Sequence, residues 1–198
     1  MNELLASRYG FIKKIQALKH VERAVLADRD RKENSAEHSW SVALLLWTLT
    51  RDFEDEFGEK LDSERMLKMA LMHDLVEIEV GDVSVWEGEK RKQAERNEGE
   101  VLGTLAEKLP HSFRSELSDL WEELRKKETL ESRLVRGVDR LSGAFQRLVT
   151  DQGWADEGHS ESDLDDIQLD ALKCSRVLTD MYTMLKQEAK EKNLLREK

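Results

Sequence analysis

His73, Asp74 and Glu77 sit inside the stretch Met66–Asp82, MLKMALMHDLVEIEVGD, whose other residues are mostly apolar. A helix that is apolar on nearly every side lies in a core. An ionised carboxylate there is costly unless it is paired or holds a metal. On a helix, His73 and Glu77 share one face a turn apart, with Asp74 beside His73. The chemistry that fits is half of a metal site, and the other half must come from elsewhere in the chain.

Two further residues are candidates for it. His38 falls in the first turn of the strongly apolar helix SAEHSWSVALLLWTLTRDF. Asp139 stands between Val138 and Leu141, close to the apolar stripe of a later helix rather than opposite it. Taken singly, each has a plainer reading: His38 as a capping or packed histidine, Asp139 as the partner of Arg136 or Arg140. Together with His73 and Asp74 they make a mixed nitrogen and oxygen set. Such a set suits a divalent transition ion, and ligand type does not choose among Mn, Co, Ni, Fe and Zn. Four protein ligands leave open positions on a larger ion, as metal catalysis requires.

The elements that must position these residues read as helices almost from end to end. With one proline, ten glycines and no alternating strand pattern, the chain is expected to be all-α. It reads as one domain over residues 1–198, with a core over about 18–150. A helix over Asn2–Val21 comes first, and the charged tract Glu22–Glu33 reads as a loop. Asn34 and Glu37 form a capping box that opens the helix bearing His38, and Gly58 stops it. Trp40, Val42, Ala43, Leu46 and Trp47 are expected in the core. A central helix runs from Asp62 or Ser63 to Gly81, followed by a loop holding Trp86. Pro110 ends the next helix, Ser112–Lys127 is another, and Glu128–Thr150 carries Asp139. After the polar loop 151–166, one long helix over about 162–192 packs on the rest, and the tail is expected to fray.

Composition excludes several classes. A net charge of −10 and a pI near 5.1 leave no basic face for a nucleic acid polymer. The single Cys174 excludes an internal disulfide and fits a reducing compartment. No apolar run is long enough to span a bilayer, and the first residues lack a signal-peptide pattern, so a cytoplasmic protein is expected.

In this order, the residues resemble the HD superfamily of metal-dependent phosphohydrolases, with its pattern H…HD…D on separate helices. The similarity is closest at Asn34–Trp40 (NSAEHSW) and Lys68–Asp82 (KMALMHDLVEIEVGD). It covers roughly Leu18–Leu148 and looks most like the subgroup containing bacterial 5′-deoxynucleotidases and their eukaryotic relatives. The resemblance implies that His38, His73, Asp74 and Asp139 bind one metal, with His38, Asp74 and Asp139 also facing substrate. It implies that Glu77 is the catalytic carboxylate and that Arg23, 15 residues before His38, orients the substrate phosphate. An arginine suits that role because its planar fork matches phosphate oxygens. Arg29 and Arg31 lie in the same charged tract and are alternatives to Arg23.

Asp82, Val83, Ser84 and Val85 would line a nucleoside pocket, and a homodimer is implied as well. The chain departs from the pattern at Ala24, where the bacterial enzymes carry a tryptophan that helps exclude a ribose 2′-hydroxyl. It also lacks the proline that many relatives have after Asp82. Two-metal and diiron relatives need further histidines between the HD pair and the last aspartate. Only His111 lies there, next to Pro110 and expected at the surface with His20 and His159, so a single metal is favoured. The expected activity is phosphate removal from a nucleoside 5′-monophosphate. The alternatives are a non-hydrolytic nucleotide-binding or regulatory module, and hydrolysis of another small phosphorylated metabolite.

Overall fold

The helix α2 (Ser35–Phe57) forms the backbone of the architecture. Asn34 caps it: its side chain accepts from the amides of Ala36 and Glu37, while Glu37 accepts from the amide of Asn34. Gly58 ends it at φ +68°, a left-handed conformation open to glycine at no steric cost. Val42, Leu46, Leu49 and Phe53 recur at helical spacing and are buried against α3 (Ser63–Met72) and α7 (Leu130–Val149). The computed structural model describes residues 3–84 and 86–196, of which 89–97 as backbone only.

Around this centre lie α1 (Glu3–Ile15), a 3-10 turn (Gln16–His20), the one-turn α4 (Glu77–Val80), α5 (Gly88–Ala106) and α6 (His111–Lys126). α8 (Glu161–Leu172) and α9 (Arg176–Glu191) pack on α7. Gly137 permits that contact, because a Cβ there would stand 2.5 Å from Leu178 Cδ1 and 3.2 Å from the Ala171 carbonyl. Among the described residues the fold is all-α apart from one hairpin, and no helix is long and apolar enough to cross a membrane.

The hairpin corrects the sequence reading. The charged tract expected as a loop forms β1 (Glu22–Asp28) and β2 (Arg31–Asn34), antiparallel, with Glu22 opposite Asn34 and Leu26 opposite Lys32. Two glutamines from distant sequence stabilise it. The Leu26 amide donates to Gln152 Oε1 at 2.8 Å, and Gln146 Nε2 donates to the Leu26 carbonyl at 2.8 Å. They satisfy edge groups of β1 that β2 leaves open. β2 then runs straight into the cap of α2, and the Ser35 amide donates to the Val21 carbonyl.

Other expectations are corrected by packing. Trp40 and Trp47 are 64% and 71% exposed, because with Leu44 they form a second stripe on the face of α2 opposite Val42, Leu46 and Leu49. The first helix ends at Ile15, and Leu4, Leu5, Tyr9 and Ile12 on it are exposed. The expected long C-terminal helix is two. Ser175 caps α9, and Glu56 from the end of α2 accepts from the Ser175 hydroxyl and the Arg176 and Val177 amides. The tail is not frayed at Leu194 and Leu195, which are buried, and the Leu194 carbonyl accepts from the Ala155 amide. Trp154, in the polar loop before α8, is buried in the core.

Gln152→Ala removes the acceptor for the Leu26 amide. We expect faster hydrogen exchange at that amide and a loss of about 1 kcal/mol of stability, read by exchange mass spectrometry and urea melts.

Candidate metal centre

The central apolar segment is not one helix. After Met72 the chain tightens: the amides of Leu75, Glu77 and Glu79 donate to the carbonyls of Met72, Asp74 and Val76, three residues back. Four-residue bonds return at Val80 and Gly81, whose amides donate to the carbonyls of Val76 and Glu77, and at Gly81, φ +74°, the backbone turns away. Local tightening of this kind recurs at functional sites. Here it presents His73, Asp74 and Glu77 to one cleft.

His73 Nδ1 lies 2.7 Å from the Ala70 carbonyl, to which it can only donate. In the neutral ring, Nε2 is then the atom that carries the lone pair. That atom is buried, without a hydrogen-bond partner among the described residues, 3.1 Å from Asp74 Oδ1 and 3.8 Å from Asp139 Oδ1. His38, fully buried on α2, brings Nε2 to 2.8 Å from Asp139 Oδ1. One atom each of His38, His73 and Asp74 lies within 4.8 Å of the others. Burial would raise the Asp139 carboxyl, but the His38 hydrogen bond and the charge of His73 prevail and hold it well below the usual carboxylate range. Two carboxylate oxygens this close to His73 Nε2 call for positive charge among them, supplied by a proton on the ring or by a metal ion. The donor set therefore fits a divalent metal, with imidazole and carboxylate ligands and a ring N–H fixed by a backbone carbonyl. All four expected ligands come together here.

Arg23, delivered by β1, faces the same space. Its Nη1 donates to Asp74 Oδ2 at 3.2 Å and stands 3.7 Å from Asp82 Oδ1, and its Nε is 3.3 Å from Glu33 Oε2. Burial lowers its pKa, but Asp74 and Asp82 together raise it, so the guanidinium is always charged. Arg29 and Arg31 are exposed, and Arg31 pairs with Glu37 at 2.8 Å. Glu77 Oε2 accepts from the Ser35 hydroxyl at 2.6 Å. Burial, then the charge of Asp74, pushes its carboxyl up to about 9.

Arg23, Asp74 and Glu77 line a cleft with about 200 Å³ of interior volume, together with Ala24, Asp82, Val83, Ser84 and Asp139. Val85 lies outside the described residues. His20 and His111 are exposed as expected, whereas His159 is half-buried and stacks on Trp86, ring centroids 3.6 Å apart.

Residues 15–176 match the family model described as "HD domain". The chain belongs to the HD domain family. It is similar to the mouse 5′-deoxynucleotidase HDDC2, 28% identical over 138 residues, which are 69% of this chain and 66% of that protein. The chain thus spans just under two thirds of that relative's length. It is 30% identical over 142 residues to the 5′-deoxynucleotidase of Erwinia tasmaniensis, covering 70% of this chain and 71% of that one. Among solved structures, a predicted metal-dependent phosphohydrolase from Magnetospirillum magnetotacticum superposes with a TM-score of 0.84 at 30% identity. The match covers 99% of this chain and 100% of that one.

Sequence reasoning missed Glu33 and Ser35. Glu33 looked like one charge in a solvated run, but it is buried beside Arg23, 3.8 Å from His38 Nδ1. Ser35 had one available signal: it precedes His38 by three residues and so shares its helix face.

Glu77 keeps its proton up to about 9 in the folded chain and loses it near 4.5 when unfolded. Its contribution to stability is full below the lower value and is lost as pH rises to the higher one. In chelator, Glu77→Gln should melt with wild type near pH 4 and increasingly above it toward pH 9, measured by thermal melts across that range.

Proposed function

We propose that this protein is a metal-dependent phosphohydrolase that releases phosphate from nucleoside 5′-monophosphates. The observation that carries the reading is the buried convergence of His73 Nε2 with Asp74 and Asp139, in the same cleft as Arg23 and Glu77. The names of the mouse and Erwinia relatives, both 5′-deoxynucleotidases, support the substrate class.

His38, His73, Asp74 and Asp139 hold one divalent transition metal. When bound, that ion supplies Lewis acidity toward the phosphate and the attacking water. Glu77 is the protonatable group beside the ligands. Held by Ser35 Oγ at Oε2, it moves a proton from the attacking water or to the leaving 5′-oxygen. Arg23 turns from Asp74 to the non-bridging phosphate oxygens, where its fork offsets developing charge. Asp82, Val83 and Ser84 line the side of the cleft that receives the nucleoside. Ala24, small and lining the cleft, leaves space where the bacterial enzymes place tryptophan, so a ribose 2′-hydroxyl meets no wall from this residue.

The protein is cytoplasmic and acts as a homodimer in this reading. The support for the dimer is the exposed stripe Trp40, Leu44 and Trp47 on α2, an apolar face of the kind that marks interfaces.

Metal-stripped protein should release phosphate from 5′-monophosphates only when Mn, Co, Ni, Fe or Zn is restored. Glu77→Gln should lose about 100-fold or more in kcat while still binding metal, and Arg23→Met should lose a similar factor in kcat/KM. Stoichiometric metal binding without turnover on any 5′-monophosphate would replace this reading with a nucleotide-binding module.

Trp47→Glu is expected to convert a dimer to a monomer in sedimentation velocity without altering metal content. A wild-type protein that sediments as a monomer at all concentrations would overturn the dimer.

A further inference from the structure

The cleft continues past the metal-binding end along α7. Asp139, Gly143 and Arg147 recur every four residues and line it together. At a rise of about 1.5 Å per residue, Arg147 lies about 12 Å along the helix from Asp139. That matches the reach from a 5′-phosphate to the edge of its base. Between them Gly143 leaves the floor bare, since a Cβ there would meet nothing within 4 Å.

Two polar groups at this far end lack the partners that buried groups ordinarily have. Arg147 is 5% exposed, and its Nη2 donates to both oxygens of Glu157, at 2.8 and 3.0 Å. Its Nη1 is buried with no hydrogen-bond partner among the described residues. Gln168, on α8, is 7% exposed, and its Oε1 is likewise buried without a partner. Both residues line the cleft, as does Trp86, whose indole is held by its stack on His159. A charged donor, a neutral acceptor and an aromatic wall in one recess are complementary to a flat heterocycle with an acceptor and a donor on its edge. A plain sugar phosphate offers no such partner there.

We propose that Trp86, Arg147 and Gln168 form a nucleobase subsite, in which Arg147 Nη1 donates to the base edge and Gln168 Oε1 accepts from it. The subsite makes the enzyme selective for nucleotides over abasic sugar phosphates. It rests on the phosphohydrolase reading only for the identity of the group at the other end of the cleft.

The test uses the full chain loaded with metal. Nucleosides without phosphate are titrated by tryptophan fluorescence and calorimetry, and initial rates are compared for deoxynucleoside 5′-monophosphates and 2-deoxyribose 5-phosphate. Wild type should bind nucleosides and prefer nucleotides. Gln168→Leu should weaken nucleoside binding and nucleotide kcat/KM about tenfold, with 2-deoxyribose 5-phosphate unchanged and the melting temperature not lowered. Arg147→Met should act the same way on binding. If that variant fails to fold for want of its Glu157 pair, Gly143→Leu takes its place: it improves helix propensity and fills the floor, and should abolish nucleoside binding. Unchanged nucleoside binding in these variants, or equal wild-type rates on 2-deoxyribose 5-phosphate and nucleotides, would overturn the subsite. Nucleoside binding without phosphate release would uphold it and strike the hydrolase reading alone.

Discussion

Excess negative charge in a confined space governs this molecule. Glu33, Asp74, Glu77, Asp82 and Asp139 gather around Arg23, with two imidazoles among them and Arg140 beside Asp139. Removing carboxylates from water is expensive unless cations or hydrogen bonds offset the loss. Arg23 offsets part of it by sitting among Asp74, Asp82 and Glu33. Glu77 offsets another part by retaining its proton, and Asp139 by accepting from His38. What remains, His73 Nε2 crowded by two carboxylates, is the feature a divalent ion would resolve. The same imbalance that would destabilise an ordinary core is what gives this site its affinity for a cation.

Delivering the metal-binding and arginine groups to one place requires four separate pieces of chain, with Glu77 and Asp82 following from α4 and the loop after it. The hairpin brings Arg23 and Glu33, α2 brings Ser35 and His38, the turn after α3 brings His73 and Asp74, and α7 brings Asp139. The capping box at Asn34 joins the first two pieces, so that a helix start doubles as the link between Arg23 and His38. The hairpin is too short to stand alone in water. Gln146, in the last turn of α7, and Gln152, just beyond it, fasten its edge, which ties Arg23 to the same helix that carries Asp139.

The parts legible in the sequence were those with local signals. The HD pair in an apolar segment, the Asn34–Glu37 cap and the Gly58 stop all act within a few residues, and each sits where its local chemistry put it. The hairpin was illegible because its register is held by glutamines more than a hundred residues away, while its own residues read as a solvated charge run. The break between α8 and α9 depends on Glu56 from another helix, with no proline or glycine to announce it. On α2 two apolar stripes share one helix, and periodicity alone does not say which faces the core. Trp40 and Trp47 therefore looked as buried as Leu46.

The wall of the cleft at Trp86 depends on a relay from far along the chain. Its indole stacks on His159, whose carbonyl accepts from the Arg196 amide, while the neighbouring Leu194 carbonyl accepts from Ala155. The family model matches only as far as residue 176. The end of the family model is therefore not the end of the working unit: residues beyond it help to hold the stack that walls the cleft at Trp86.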